Sequence, residues 1–247
     1  MGHENIFFIT HGFKGIIYIA TYVSWILVLS SASSSASDTL GIFPPGSKPY
    51  GLSYEDHIKN FWKFIISLPK EKNPWHDDTG AKCTSAQSGK NSSIFYLGGN
   101  GGGRSKPWER EITVPSGKGL LIPVMVVEVS DKEVPDKSVE ELRQIAKKDQ
   151  DSVTSLYLKI NDKEYKPEEI SKYRTSTASF EVEFPENAIF SAAKGPSKAV
   201  ADGHYIITEP LPRGNHIVHY KSSLTCEGTD CLDHKFSQDI KYIIIAE

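Results

Sequence analysis

The sequence predicts a mainly β protein: a β-sandwich, of jelly-roll or Ig-like kind, with an N-terminal amphipathic helix and one inserted helix. Three observations predict it. Short strand-like segments punctuated by Gly and Pro dominate the chain from Ser155 onward, the pattern of a domain built from two packed sheets. Leu120–Val129 is nearly continuous in apolar residues, as a strand covered on both faces requires. Only the stretches after Ser53 and after Ser138 keep helical spacing behind a capping residue. The 247 residues are 38% apolar and 24% charged, ordinary for a soluble domain once the N-terminus is set aside. No repeat or further boundary interrupts residues 37–247, which read as a single β-rich extracytoplasmic domain.

Residues 1–36 read as a signal peptide. His11 and Lys14 make a weakly basic start, Gly15–Leu29 is apolar, and Ser30–Ser37 offers small residues where a peptidase would cut. The apolar run is short of the roughly 20 residues that span a bilayer. An uncleaved N-terminal membrane anchor is the alternative, and membrane contact is expected through this segment alone. Either reading places the remainder outside the cytoplasm, secreted or at the cell surface. Removing the segment takes away Glu4 and Lys14, so the net charge stays at -3; that value predicts no nucleic-acid partner, because such partners select a basic face.

The cysteines fit an oxidising compartment. Cys226 and Cys231 flank a Gly turn, and a disulfide between them is expected. A metal site with Asp233 and His234 is the competing reading, but no second ligand pair stands at a recognised spacing. Cys83 is left over, either as a buried free thiol or as a partner for a second chain. Asn91-Ser92-Ser93 is the only glycosylation sequon, so Asn91 should lie at the surface.

In chain order, Pro44, Pro45, Gly46, Pro49 and Gly51 make an extended lead-in. Ser53 then caps a helix, with Asp56 completing a capping-box-like pair. Ile58, Phe61, Trp62, Ile65 and Ile66 form its apolar stripe, and Pro69 stops it. Asn73–Cys83 reads as loop. Ile94–Leu97, Arg110–Val114 and Leu120–Val129 read as strands, the last two joined by a Pro115–Gly119 turn. Ser138 and Glu141 open the inserted helix, read as a surface insertion carrying Val139, Leu142, Ile145 and Ala146 at helical spacing. Leu156–Ile160 turns at Asn161–Lys163 into Glu164-Tyr165, and Phe180, Val182 and Phe184 share one strand face. Gly203–Ile207 and His216–Tyr220 read as a hairpin-like pair about Pro210–Gly214, and Phe236–Ile245 closes the domain.

Chemistry-bearing residues gather between Phe61 and Glu128. His76, Asp77 and Asp78 follow Trp75; an imidazole beside carboxylates suits acid–base work or a divalent cation, though a solvated acidic turn has the same composition. Glu128 and His204 are the residues that folding would have to bring to them. Gly98–Ser105 nearly spells a phosphate-binding loop with Arg104 in the lysine position, but Pro107 and Trp108 do not open the helix that motif needs. The plainer reading is a turn whose bare backbone a ligand can approach, with Gly99, Asn100 and Arg104 beside Trp75 and Trp108 as binding groups. His216 and His219, three apart on a strand, face opposite ways; His204 and His216 would meet across the expected hairpin. Neither a Gly-x-Ser-x-Gly elbow nor a His-Glu-x-x-His helix is present.

Phe61-Trp62, Leu68-Pro69, Asn73-Pro74, Asp77, Thr79-Gly80, Cys83, Gln87, Phe95, Leu97-Gly98-Gly99, Arg110, Val114–Lys118 and Pro123 make a specific block. With Asp202–Tyr205, Pro210-Leu211 and Gly214–His216 it resembles a family of exported, functionally uncharacterised bacterial and archaeal proteins. The likeness covers most of the chain after the leader and implies export and a shared fold, with no activity attached. In that family a second cysteine often stands where this chain has Ile112, which would leave Cys83 without the bridge the resemblance implies. Two functions remain in view. One is an exported or cell-surface protein binding an extracellular small molecule or glycan, favoured if Trp75 and Trp108 are exposed beside the Gly-rich loop. The other is a secreted hydrolase of an ester, lactone or glycan, with a divalent metal as its candidate cofactor, favoured if His76, Asp77, Asp78, Glu128 and His204 converge.

Overall fold

The structure, a computed structural model, describes residues 40–100, 107–229, 231, 232 and 234–247. The expected leader, Arg104 and Asp233 lie outside the described residues. The described residues belong to one compact unit, Ser37–Glu247, and contain no helix long and apolar enough to cross a membrane.

The lead-in, expected to be extended, bridges Ile42 to Thr208 and then turns at Pro45-Gly46 and again through a short 3-10 turn at Pro49–Gly51, which proline at its first position starts. Helix α1 (Tyr54–Ile66) is capped by Ser53, whose Oγ accepts from Asp56 N at 3.1 Å. Ile58, Phe61, Trp62, Ile65 and Ile66 are all buried. A 13-residue helix is marginal alone; each large side chain on this stripe adds about 1.5–3 kcal/mol by leaving water. Helix α2 (Ala81–Gln87) occupies ground that the sequence assigned in part to loop. Asp77 explains the difference. Its Oδ1 accepts from Gly80 N at 2.9 Å and its Oδ2 from Cys83 N at 2.8 Å, satisfying amides that a short helix leaves open.

Strands β1 (Ile94–Tyr96), β2 (Trp108–Val114) and β3 (Gly119–Ser130) follow, then α3 (Val139–Asp151), β4 (Val153–Ile160) and β5 (Lys163–Tyr165). The chain ends with α4 (Pro167–Ser171), β6 (Phe180–Phe184), β7 (Gly195–Ile207), β8 (Gly214–Thr225) and β9 (Lys235–Ala246). They make the predicted mainly β, sandwich-like architecture from two mixed sheets, ordered β1-β3-β7-β6 and β2-β9-β8-β4-β5. The pairs β1–β3 and β2–β9 are parallel. β3 is buried along almost its whole length, as its unbroken apolar run required. Pro123 has no N–H to offer the ladder, and the register with β7 slips between Pro123 and Met125. Val124 O is thereby freed to accept Ser222 Oγ at 2.7 Å and Gln238 Nε2 at 2.8 Å from the other sheet.

Two connections differ from the sequence reading. β2 and β3 belong to different sheets, so the turn between them is an arch. The expected hairpin about Pro210–Gly214 is likewise an arch, carrying the chain from β7 in one sheet to β8 in the other. The two arches bond each other: Gly117 N donates to Leu211 O at 2.8 Å and Leu211 N to Lys118 O at 2.9 Å. Helix α3 has its capping box, but it is more than a surface insertion. Leu142 and Ala146 pack on Val127, Val129 and Val200, sealing one face of β3 and β7. The short α4 went unanticipated; Pro167 at its first position and Glu169 Oε2, accepting from Lys166 N at 2.9 Å, start it.

Candidate functional site

The most site-like feature is a cleft along β3. β1 pairs with β3 only through Gly119–Leu121, so beyond that point this edge has no partner strand among the described residues. A cavity of about 330 Å³ opens there. Trp62, Trp75 and Phe190 supply its aromatic surface, and Asn100, Glu128, Glu133 and Asp149 its polar groups. Val127 packs toward α3, and strand alternation turns Glu128 to the opposite face. Tyr205 lies on that same face, holding α1 in place by accepting from Trp62 Nε1 at 2.7 Å.

Glu128 is the chemically unusual member. It is 3% exposed, and neither carboxylate oxygen has a hydrogen-bond partner. Burial pushes its carboxyl well above the ordinary range, and the charges of Glu133 and Asp131 push the same way. Glu133 stands close enough to Glu128 to raise it further, and Glu133 Oε2 accepts from Ser130 Oγ at 2.6 Å. Asp149 is fully buried and accepts from Leu232 N at 3.1 Å. Phe190 is 40% exposed at φ 61°, a region that costs a bulky residue about 1–3 kcal/mol. Its ring meets Trp75 edge-on at 6.3 Å.

Gly98 and Gly99 are held beside this cleft by a buried polar knot. Arg110 is fully buried, and its Nη1 donates to Gly98 O at 3.0 Å, Gly99 O at 3.1 Å and Tyr242 Oη at 2.7 Å. Tyr220 Oη and Tyr242 Oη also donate to Gly98 O, at 2.9 and 2.7 Å. The Trp75 ring lies 2.8 Å from where a Cβ on Gly99 would stand, so only glycine fits. Gln87 clamps Tyr96 through its N at 2.8 Å and its O at 2.9 Å. The dense block of sequence around Asp77, Cys83, Gly98-Gly99 and Arg110 is therefore scaffolding, and it delivers Asn100 to the cleft.

The other residues singled out by sequence scatter. Asp77 is buried as the α2 cap, and Asp78 is exposed. His76 is half-buried, its imidazole lowered by burial and by Lys70 and Lys82. His204 faces away from Glu128, since Glu128 stands opposite Ala201 in the ladder and His204 is three residues along. Burial pushes its imidazole down to about 4, with Arg174 adding to the effect, and Nδ1 lacks a partner. It lines a separate recess with Arg174 and Gln150. His216 lies in the other sheet and bonds Pro212 O and Asn161, so the expected meeting of His204 and His216 does not occur. Trp75 is 7% exposed rather than an open platform, although it reaches the cleft. Trp108 is half-buried with its ring 5.3 Å from the Arg110 guanidinium, apart from the cleft lining. Asn91 is exposed in the loop before β1, at the surface as expected.

Cys226 and Cys231 form the expected disulfide. Among the described residues, the one trio of closely spaced ligand atoms is Asp149 with these two sulfurs; joined to each other, they cannot serve as thiolate ligands. Cys83 is a free thiol with no exposed surface, pushed by burial up to about 12 and out of reach of a second chain. The sequence reading missed Glu133, Asp149 and Phe190 as site residues and took Trp62 for core alone. Asp149 had a signal: it continues the buried series Leu142, Ala146 on α3, where an acid is out of place. Phe190 had none. No family model matches the chain, and no curated protein or solved structure matches it.

Proposed function

We propose that this is an exported or cell-surface protein that binds a small extracellular ligand, a glycan by preference, in the cleft along β3. The observation that carries the reading is the cleft itself: aromatic surface from Trp62, Trp75 and Phe190 beside four polar side chains. Sugars offer an apolar ring face and a hydroxyl rim, and such a lining answers both. The volume of about 330 Å³ falls at the small end of sites for single small molecules, roughly 300–1,000 Å³. The scatter of His76, Asp77, Asp78 and His204 argues against a shared acid–base centre. The apolar leader and the Cys226–Cys231 bridge support an extracytoplasmic setting.

A second reading draws on one specific observation. Two neighbouring carboxyls, one raised by burial, are how glycosidases and related hydrolases divide acid and base roles, and Glu128, raised by burial with Glu133 beside it, offers such a pair. Tryptophan fluorescence of the purified domain should change on titration with oligosaccharides, and Phe190→Ala should weaken the response at least fivefold. Silence across a broad glycan panel would sink the binding reading. Turnover of any panel sugar that Glu128→Gln abolishes would replace it with the hydrolase.

A further inference from the structure

Resting on that binding reading, we infer that the ligand carries a protonated amine, as an amino sugar with a free amino group does, and that Glu128, releasing its proton to solvent as the ammonium docks, becomes its counter-ion. Glu128 lies in the cleft wall, 3% exposed, with no donor to either oxygen. A buried carboxyl without donors is unfavourable until something supplies them, and an ammonium brings three. The described lining residues include three acids and no Lys, Arg or His, so the side chains described there offer carboxyl oxygens to an ammonium and no charged donor to an anion. Trp62, Trp75 and Phe190 add aromatic surface, to which organic cations are attracted. A hard divalent ion fits less well. It asks for six or more oxygens, and no trio of carboxylates lies close enough together among the described residues. An organic ammonium is content with one carboxylate and an aromatic wall.

Calorimetric titration with β-1,4-linked trimers of glucosamine, N-acetylglucosamine and glucose separates the outcomes. The glucosamine trimer should bind at least tenfold tighter than the other two. Glu128→Gln should erase that preference, while Glu168→Gln on exposed α4 should keep it. Circular dichroism and thermal melting check that Glu128→Gln keeps the fold; Phe190→Ala, at an exposed site, provides a second variant that should lower glucosamine affinity. Equal binding of all three trimers, or an undiminished preference in Glu128→Gln, would overturn the amine inference and leave the glycan reading standing. Binding of none would remove both.

Discussion

At the scale of single residues, Glu128 sets both the chemistry of the cleft and a pH dependence of stability. Its folded-state carboxyl titrates well above the ordinary range because burial disfavours the charged form. The folded protein therefore holds this proton more tightly than the unfolded chain. The contribution is fully present below the unfolded value of about 4.3 and is lost as pH rises through the raised folded value. Wild type should lose stability relative to Glu128→Gln over that rise, by about 1.4 kcal/mol for each unit of displacement. Urea denaturation of both proteins at a series of pH values measures the gap, and a constant gap would mean that the carboxyl titrates normally. A residue chosen from sequence for one role can also serve another. Asp77 sits among His76 and Asp78 like a catalytic acid, yet both of its oxygens are spent on the backbone of α2.

At the scale of elements, that assignment has a measurable consequence. Asp77→Ala removes charge-assisted acceptors from the N–H groups of Gly80 and Cys83, so it should lower unfolding free energy by about 3 kcal/mol. Chemical denaturation checks this; a variant of native stability that failed to bind or turn over ligand would restore a direct site role for Asp77. The knot of Arg110, Tyr220, Tyr242 and the Gly98 and Gly99 carbonyls works similarly, fixing a segment whose glycines would otherwise have many conformations. The helices α1 and α3 were legible because caps and 3.6-residue spacing are local signals. α2 was not, because its cap lies in a run that also spells a turn. Strand β3 was legible from its apolar run, but the bulge at Pro123–Met125 that turns Val124 O toward the other sheet was not.

At the scale of the whole molecule, the sandwich is held by cross-sheet bonds to Val124 and by arches that bond each other. The disulfide ties the β8–β9 connection, which also supplies Leu232 to the cleft and to Asp149. With only 5 residues of separation, the chain-entropy model gives its removal a cost of about 2 kcal/mol. Replacing both Cys226 and Cys231 by Ser should lower Tm by about 4–8 °C and weaken ligand binding more than Tm alone accounts for, because Leu232 loses its tether. Differential scanning calorimetry with parallel titrations tests this. Unchanged affinity would show that the connection serves stability only.

The sequence by itself determined the fold class, the two principal helices, the buried central strand and the Cys226–Cys231 pairing. Each follows from local periodicity, caps or spacing, which the chain carries wherever it folds. Tertiary structure decided which strands share a sheet, since a Pro-containing turn reads alike as hairpin or arch. It also decided the site. Glu128 and Trp62 lie far apart in sequence and meet because β1 stops short along β3 while alternation turns Glu128 toward α1. The histidines and acids adjacent in sequence were parted for the same reason: direction in a fold is set by partners across space, and neighbours along the chain point apart.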